Sequence, residues 1–120
     1  MTISYKDLIV WQKSIDLIEL IYKNTESFPK VETYGIVSQM RRSAVSIASN
    51  ITEGRCRGTR KDYTQFLRIA LGSGAELETQ LIISKRLDFI KNSEYDDMVK
   101  MLYEIMKMLN VMIRKLAPKS

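Results

Sequence analysis

The sequence predicts an all-α protein, an up-down-up-down four-helix bundle formed by residues 1–120 as one domain. Three observations predict it. Four segments carry apolar residues at helical spacing, short turn signals separate them, and no strand-like alternation occurs. The composition agrees: 45% hydrophobic and 28% charged residues are ordinary for a globular chain, and 120 residues can bury a core without disulfides or metals.

The first helix is expected from about Asp7 to Thr25. Leu8, Trp11, Ile15, Ile18 and Tyr22 recur at helical spacing, and Val10, Leu17 and Ile21 form a second apolar strip roughly opposite. A helix apolar on two sides needs two neighbours. Asp7 suits the positive end of the dipole, and Phe28-Pro29 marks the stop.

The second helix is expected from Glu32 to Arg55, with Val37, Met40, Ala44, Ile47, Ala48 and Ile51 as its core stripe. Ser38, Gln39, Arg42, Ser43, Ser46, Asn50 and Glu53 lie opposite. Several serines on one face permit close approach of another helix. Gly54 and Gly58 bracket a short basic turn, Arg55-Cys56-Arg57, expected to end the helix.

The third and longest helix is expected from Arg60 to Ile90, with Thr59 as N-cap and Asp62 three residues on. Tyr63, Phe66, Leu67, Ala70, Leu77 and Leu81 form its main stripe, and Ile69, Ile83 and Leu87 a separate strip. Gly72 and Gly74 each cost about 1 kcal/mol relative to alanine, which implies a kink or a close approach. The fourth helix is expected from Glu94 to Leu116, capped by Ser93. Met98, Met101, Leu102, Ile105, Leu109, Met112, Ile113 and Leu116 line one broad face, read as core, and Arg114 and Lys115 occupy the last turn. The surplus apolar strips and the serine face together point to a homo-oligomer of subunits packed side by side.

Much chemistry is excluded. Without histidine the chain lacks the usual general base near neutral pH and the commonest metal ligand. One cysteine, Cys56, can form neither an intramolecular disulfide nor a zinc-thiolate cluster, and fits a reducing, cytoplasmic setting. The N-terminal MTISYKDL is polar and shows no signal-peptide pattern. The apolar run Leu8 to Tyr22 is broken by Gln12, Lys13, Asp16 and Glu19, so it is no membrane span. There is no P-loop, dinucleotide fingerprint or nucleophile elbow. Glu76 and Glu78 are two apart on a helix and point apart, so they are no catalytic dyad. No enzymatic activity, cofactor, metal or small-molecule substrate is expected.

The net charge of +5 is concentrated in the middle of the chain: net −1 over residues 1–29, +5 over 30–70 and +1 over 71–120. Either an anionic partner or a solvated helix face accounts for this. Arg55, Arg57, Arg60, Lys61 and Arg68 fall near the turn between the second and third helices, and an antiparallel pair places most of them at one end of the bundle. Phosphate binding there needs no sequence-reading helix. RNA or DNA is therefore one candidate partner. The competing reading is an oligomeric scaffold or adaptor for a protein, with no nucleic-acid binding.

Three stretches, DLIVWQKSIDLIELIY, FPKVETYGIVSQMRRSAVSIASNITEGRCR and FLRIALGSGAELETQLIIS, closely resemble the four-helix-bundle proteins encoded in 23S rRNA intervening sequences. The order and spacing of YG, SQ-RR-A-SI, N-EG and GS-ELETQL carry the resemblance up to about Ile90; the fourth helix matches only in general character. The resemblance implies a bacterial cytoplasmic bundle assembled as a cyclic homopentamer. The family is also similar to the accessory proteins of diversity-generating retroelements, basic pentameric bundles that bind nucleic acid and a reverse transcriptase. It supplies no catalytic residues. Its motif positions Arg41, Arg42, Asn50, Glu53, Glu76, Glu78 and Gln80 are expected to form a structural polar network.

Overall fold

Helix α1 is Ile9–Thr25. The computed structural model describes residues 4–118. Asp7 does not open α1. It belongs to a 3-10 turn, Tyr5–Asp7, where the Ser4 hydroxyl accepts the Lys6 N–H at 3.2 Å. Of the two apolar sides, the core takes Val10, Leu17 and Ile21 completely, while Trp11, Ile15 and Ile18 are half-buried and Tyr22 is exposed. Trp11 donates its indole N–H to Thr52 at 3.0 Å and meets Tyr5 edge-on. The helix ends at Thr25, as its spacing predicts, and its last turn takes a partner from another helix. Arg41 donates to the Thr25 hydroxyl at 3.1 Å and to the Tyr22 carbonyl at 3.4 Å, with its guanidinium 4.4 Å from the Tyr22 ring. A cation at a helix C-terminus is favourable both as a donor and against the dipole.

Helix α2 is Ile36–Arg57, starting later and ending later than expected. Residues Lys30–Glu32 form a 3-10 turn instead of its first turn. At the other end Arg55-Cys56-Arg57 is the last helical turn, and the left-handed Gly58, with φ +85°, ends it. Glycine adopts that conformation without the steric penalty other residues carry. Gly54 is therefore interior to α2. A Cβ there would lie 2.7 Å from the Phe66 Cβ, so its role is close approach to the next helix.

Helix α3 is Arg60–Arg86, and the Thr59 hydroxyl accepts the Asp62 N–H at 3.1 Å as expected. It ends before Ile90. Asp88 takes φ +60°, the Phe89 N–H bonds the Ser84 carbonyl at 2.9 Å and the Asp88 N–H bonds the Lys85 carbonyl at 3.0 Å. This is the Schellman arrangement, with aspartate where glycine is usual. Neither Gly72 nor Gly74 interrupts the helix; Gly74 sits against the Met106 side chain of the following helix, and Gly72 faces open space.

Helix α4 is Asn92–Leu116. Its cap is not Ser93: the Glu94 carboxylate accepts the Lys91 backbone N–H at 3.1 Å, which starts the helix two residues earlier. The methionine stripe divides, with Met98 fully buried and Met101 and Met112 half-buried beside Leu102, Ile105, Leu109 and Ile113 of the core.

The four helices pack in sequence order around one core, α4 closing on α1, and α2 with α3 makes the most extensive contact. The serine face of α2 explains that extent. Ser43 is buried, the Ser46 and Ser73 hydroxyls hydrogen-bond at 2.8 Å, and Asn50 donates to the Ser46 hydroxyl and carbonyl. Small side chains let the two backbones approach, and their hydroxyls satisfy one another. The serine face thus serves this chain's own α3. Buried Ser14, Thr25 and Ser84 each donate to the carbonyl four residues back. Tilted contact between Phe28 and Phe89, centroids 5.5 Å apart, joins the two connections at the far end of the bundle. No strand occurs among the described residues.

Candidate nucleic-acid interface

The α2–α3 turn is built by three local choices: left-handed Gly58 stops α2, Thr59 caps α3, and Gly54 lets the two helices converge. These choices bring the cations of the turn to one end of the bundle. They are not equivalent. Arg60 donates from Nε to the Leu116 carbonyl at 3.1 Å and from Nη2 to the Lys115 carbonyl at 3.0 Å, so it caps α4. Arg57 pairs with Glu53 at 3.5 Å and lies 5.0 Å from the Phe66 ring. That pair is half-exposed and on one helix face, the kind of contact worth only about 0.3–0.5 kcal/mol. Arg55 is half-buried, with its guanidinium 6.0 Å from the Tyr63 ring. Lys61 and Arg68 are exposed. Arg68 stands two turns along α3, about 12 Å from Arg60, and so borders the cluster.

The Arg60 cap locates a further contribution. Because α4 ends beside the start of α3, Arg114 and Lys115 of its last turn, both exposed, join this end. Sequence spacing alone separates them from the turn by some fifty residues, yet the up-down topology implies the meeting. Two shallow depressions mark the surface. One of about 390 Å³ is lined by Gly54, Arg55, Gly58, Thr59, Arg60, Tyr63 and Leu116. The other, of about 520 Å³, is lined by Arg60, Lys61, Thr64, Gln65, Leu116 and Pro118. Burial pushes the Tyr63 hydroxyl above its ordinary pKa, against the opposing pull of Arg55.

The expected polar network of Arg41, Arg42, Asn50, Glu53, Glu76, Glu78 and Gln80 is not assembled as one unit. Arg41 bonds the C-terminus of α1, Asn50 joins the Ser46–Ser73 pair, and Glu53 takes Arg57. Glu78 accepts the Tyr103 hydroxyl proton, and that bond to a carboxylate raises the tyrosine pKa. Arg42 and Glu76 are exposed, and the buried Oε1 of Gln80 has no hydrogen-bond partner among the described residues. The cause is position: Arg41 reaches α1, Glu53 pairs within α2, Glu78 meets α4, and Arg42 and Glu76 face solvent. A Lys13–Glu104 ion pair at 3.0 Å, unforeseen in the sequence, links α1 to α4.

Among the described residues no group of three or more cysteine, aspartate or glutamate side chains is placed to hold a metal ion. No helix among them is long and apolar enough to cross a membrane.

Comparison with known proteins agrees with this architecture. A crystal structure of a protein with unknown function from the S23 ribosomal protein family of Bacteroides thetaiotaomicron superposes with a TM-score of 0.79 at 29% identity, covering 88% of this chain and 98% of that one. No curated protein matches the chain. The family described as 23S rRNA-intervening sequence protein matches residues 6–111, well over half of the sequence. The chain therefore belongs to the 23S rRNA-intervening sequence protein family.

Proposed function

We propose that this protein is a non-enzymatic, cytoplasmic homo-oligomer that binds the phosphates of RNA or DNA through the basic end of its bundle. The carrying observation is the convergence of Arg114 and Lys115 of α4 with Arg55, Arg57 and Lys61 at the α2–α3 turn, through the Arg60 cap. Phosphate binding is a matter of cation density and needs no base-reading element. The exposed α3 strip of Ile69, Ile83 and Leu87 supports assembly, because it is apolar surface that the bundle itself does not cover. Five subunits follow from the family resemblance, and an assembly of copies repeats the basic end once per subunit.

The test is a salt titration of binding to generic RNA and DNA. Affinity is expected to fall steeply with salt, and Arg57→Gln with Lys61→Gln and Lys115→Gln to weaken binding regardless of sequence while reducing the salt slope. Arg60 is left intact in this variant because it caps α4. No binding at about 50 mM salt, where phosphate contacts are strongest, sinks the reading.

One observation favours the adaptor reading. An open apolar groove of about 770 Å³ runs between α1 and α4, with Leu8, Ile9, Val10, Met108, Val111 and Met112 in its walls. Methionine-lined apolar grooves suit adaptable protein contacts. Binding of a protein partner with no affinity for either nucleic acid at low salt would select it.

A further inference from the structure

We infer that the outer face of α4, from Lys100 to Arg114, is a track for a single nucleic-acid strand that leads away from the basic end. The inference rests on the phosphate-binding reading above and adds where the strand runs and of what kind it is.

Lys100, Tyr103, Lys107, Asn110 and Arg114 recur at three- and four-residue steps, which places them on one face of α4, and all five are exposed. At 1.5 Å per residue the three cations stand about 10.5 Å apart over a straight ridge of about 21 Å. None of the three makes an ion pair among the described residues. Of the neighbouring acids, Glu104 pairs with Lys13 on the α1 side and Glu78 accepts from the Tyr103 hydroxyl, while Asp97 stands one turn before Lys100 and lines a depression with it and Asp16, so Lys100 is the least favourable of the three cations for a phosphate. Exposed cations become denser along α4 toward Arg114, Lys115 and the α2–α3 turn. The track is continuous with the basic end because the Arg60 cap fixes the last turn of α4 there.

Two features favour a single strand over a duplex. A flexible strand can follow a straight ridge, whereas a duplex backbone curves away from it and meets one or two of the cations. The ridge is also flanked by a shallow groove of about 580 Å³, lined by Tyr103, Met106, Lys107, Asn110, Val111 and Arg114. Its floor is apolar and its rim carries an amide and two cations, a setting for an unpaired base beside its phosphates. Tyr103 presents an exposed ring, and its hydroxyl bond to Glu78 holds that ring in place before any ligand arrives. Stacking on aromatic rings requires unpaired bases and tolerates any sequence.

The experiment uses the full chain with a fluorescent 15-nucleotide oligo(dT) or oligo(U), competed by a 15-base-pair duplex and by poly-L-glutamate. Combined Lys100→Gln, Lys107→Gln and Arg114→Gln is expected to lower strand affinity at least about tenfold and to reduce the salt slope by about 2, near 0.7 for each lost phosphate contact. Tyr103→Leu is expected to weaken binding about tenfold, with Tyr103→Phe, which keeps the ring, restoring most of the loss. All these positions are exposed, so circular dichroism and the melting temperature should match the parent. Unchanged affinity and slope in the triple variant overturn the inference. So does a duplex or poly-L-glutamate competing as well as the strand. If the variant at Arg57, Lys61 and Lys115 loses binding while the α4 variant does not, the track fails and the basic end stands. If the parent binds no oligonucleotide at low salt, both fall together.

Discussion

The hydroxyls of Ser46 on α2 and Ser73 on α3 lie 2.8 Å apart, and Asn50 donates to the Ser46 hydroxyl from one turn away. This pair closes the interface in which the α2 and α3 backbones approach most extensively. Ser46→Ala or Ser73→Ala should each cost about 1 kcal/mol, and the double variant less than the sum, because both remove the same bond. Urea denaturation of the four proteins in the cycle checks it. Ser46→Trp should damage the fold itself, by about 1–3 kcal/mol or more from overpacking. Ile83→Glu, on the exposed strip of α3, should leave the fold intact and weaken assembly; light scattering that shows an unchanged oligomer counts against an interface there.

Three glycines should respond in three ways to alanine. At Gly54 the new methyl meets the Phe66 Cβ at 2.7 Å and the Tyr63 carbonyl at 3.3 Å, which must move apart, so about 1–3 kcal/mol is lost. Gly58 has room but a φ of +85°, which costs about 1–2 kcal/mol in a residue with a Cβ. Gly72 is exposed, helical and open, so alanine should stabilise by about 0.4–1 kcal/mol. Melting temperatures of the three variants test the order.

Two arginines cap helices that are not their own: Arg41 on the end of α1 and Arg60 on the end of α4. Arg60→Ala should cost about 1 kcal/mol and speed hydrogen exchange in the last turn of α4, with little change elsewhere. Arg41→Lys should not restore what Arg41→Ala loses, because a lysine supplies no planar fork over the Tyr22 ring. Equal protection of the α4 terminus in parent and Arg60→Ala would refute the capping role.

Stability should fall at alkaline pH through Tyr63. Burial raises its pKa in the folded chain above the ordinary value near 10. Between those two values the unfolded chain has lost the proton and the folded chain has not, so rising pH favours unfolding. Below about pH 10 both forms are neutral and the contribution is constant. Denaturation midpoints from pH 8 to 11 should decline less in Tyr63→Phe than in the parent. Tyr103, whose pKa its bond to Glu78 also raises, is common to both proteins, so the difference isolates Tyr63.

Helix number, helix type and most of the core were legible in the sequence, since apolar periodicity is a local property: Val37, Met40, Ala44, Ile47 and Ile51 are buried on α2 as their spacing requires. The Thr59 cap was legible for the same reason, its partner lying three residues away. Elsewhere the partner came from another helix. Arg41 and Arg60 cap α1 and α4 by reaching across the bundle, at the Thr25 and Leu116 ends that local spacing already predicts, and Gly54 is required by Phe66. Asp88 ends α3 in a conformation that favours glycine, so no residue type announced it. The serine face needed α3 in place before it could be seen as internal. The basic end gained Arg114 and Lys115, and the α4 stripe became continuous with it, only through antiparallel packing. Local spacing determines which face of a helix is apolar or charged. Which faces meet, and therefore which cations stand together, depends on side chains tens of residues apart satisfying one another in the folded bundle.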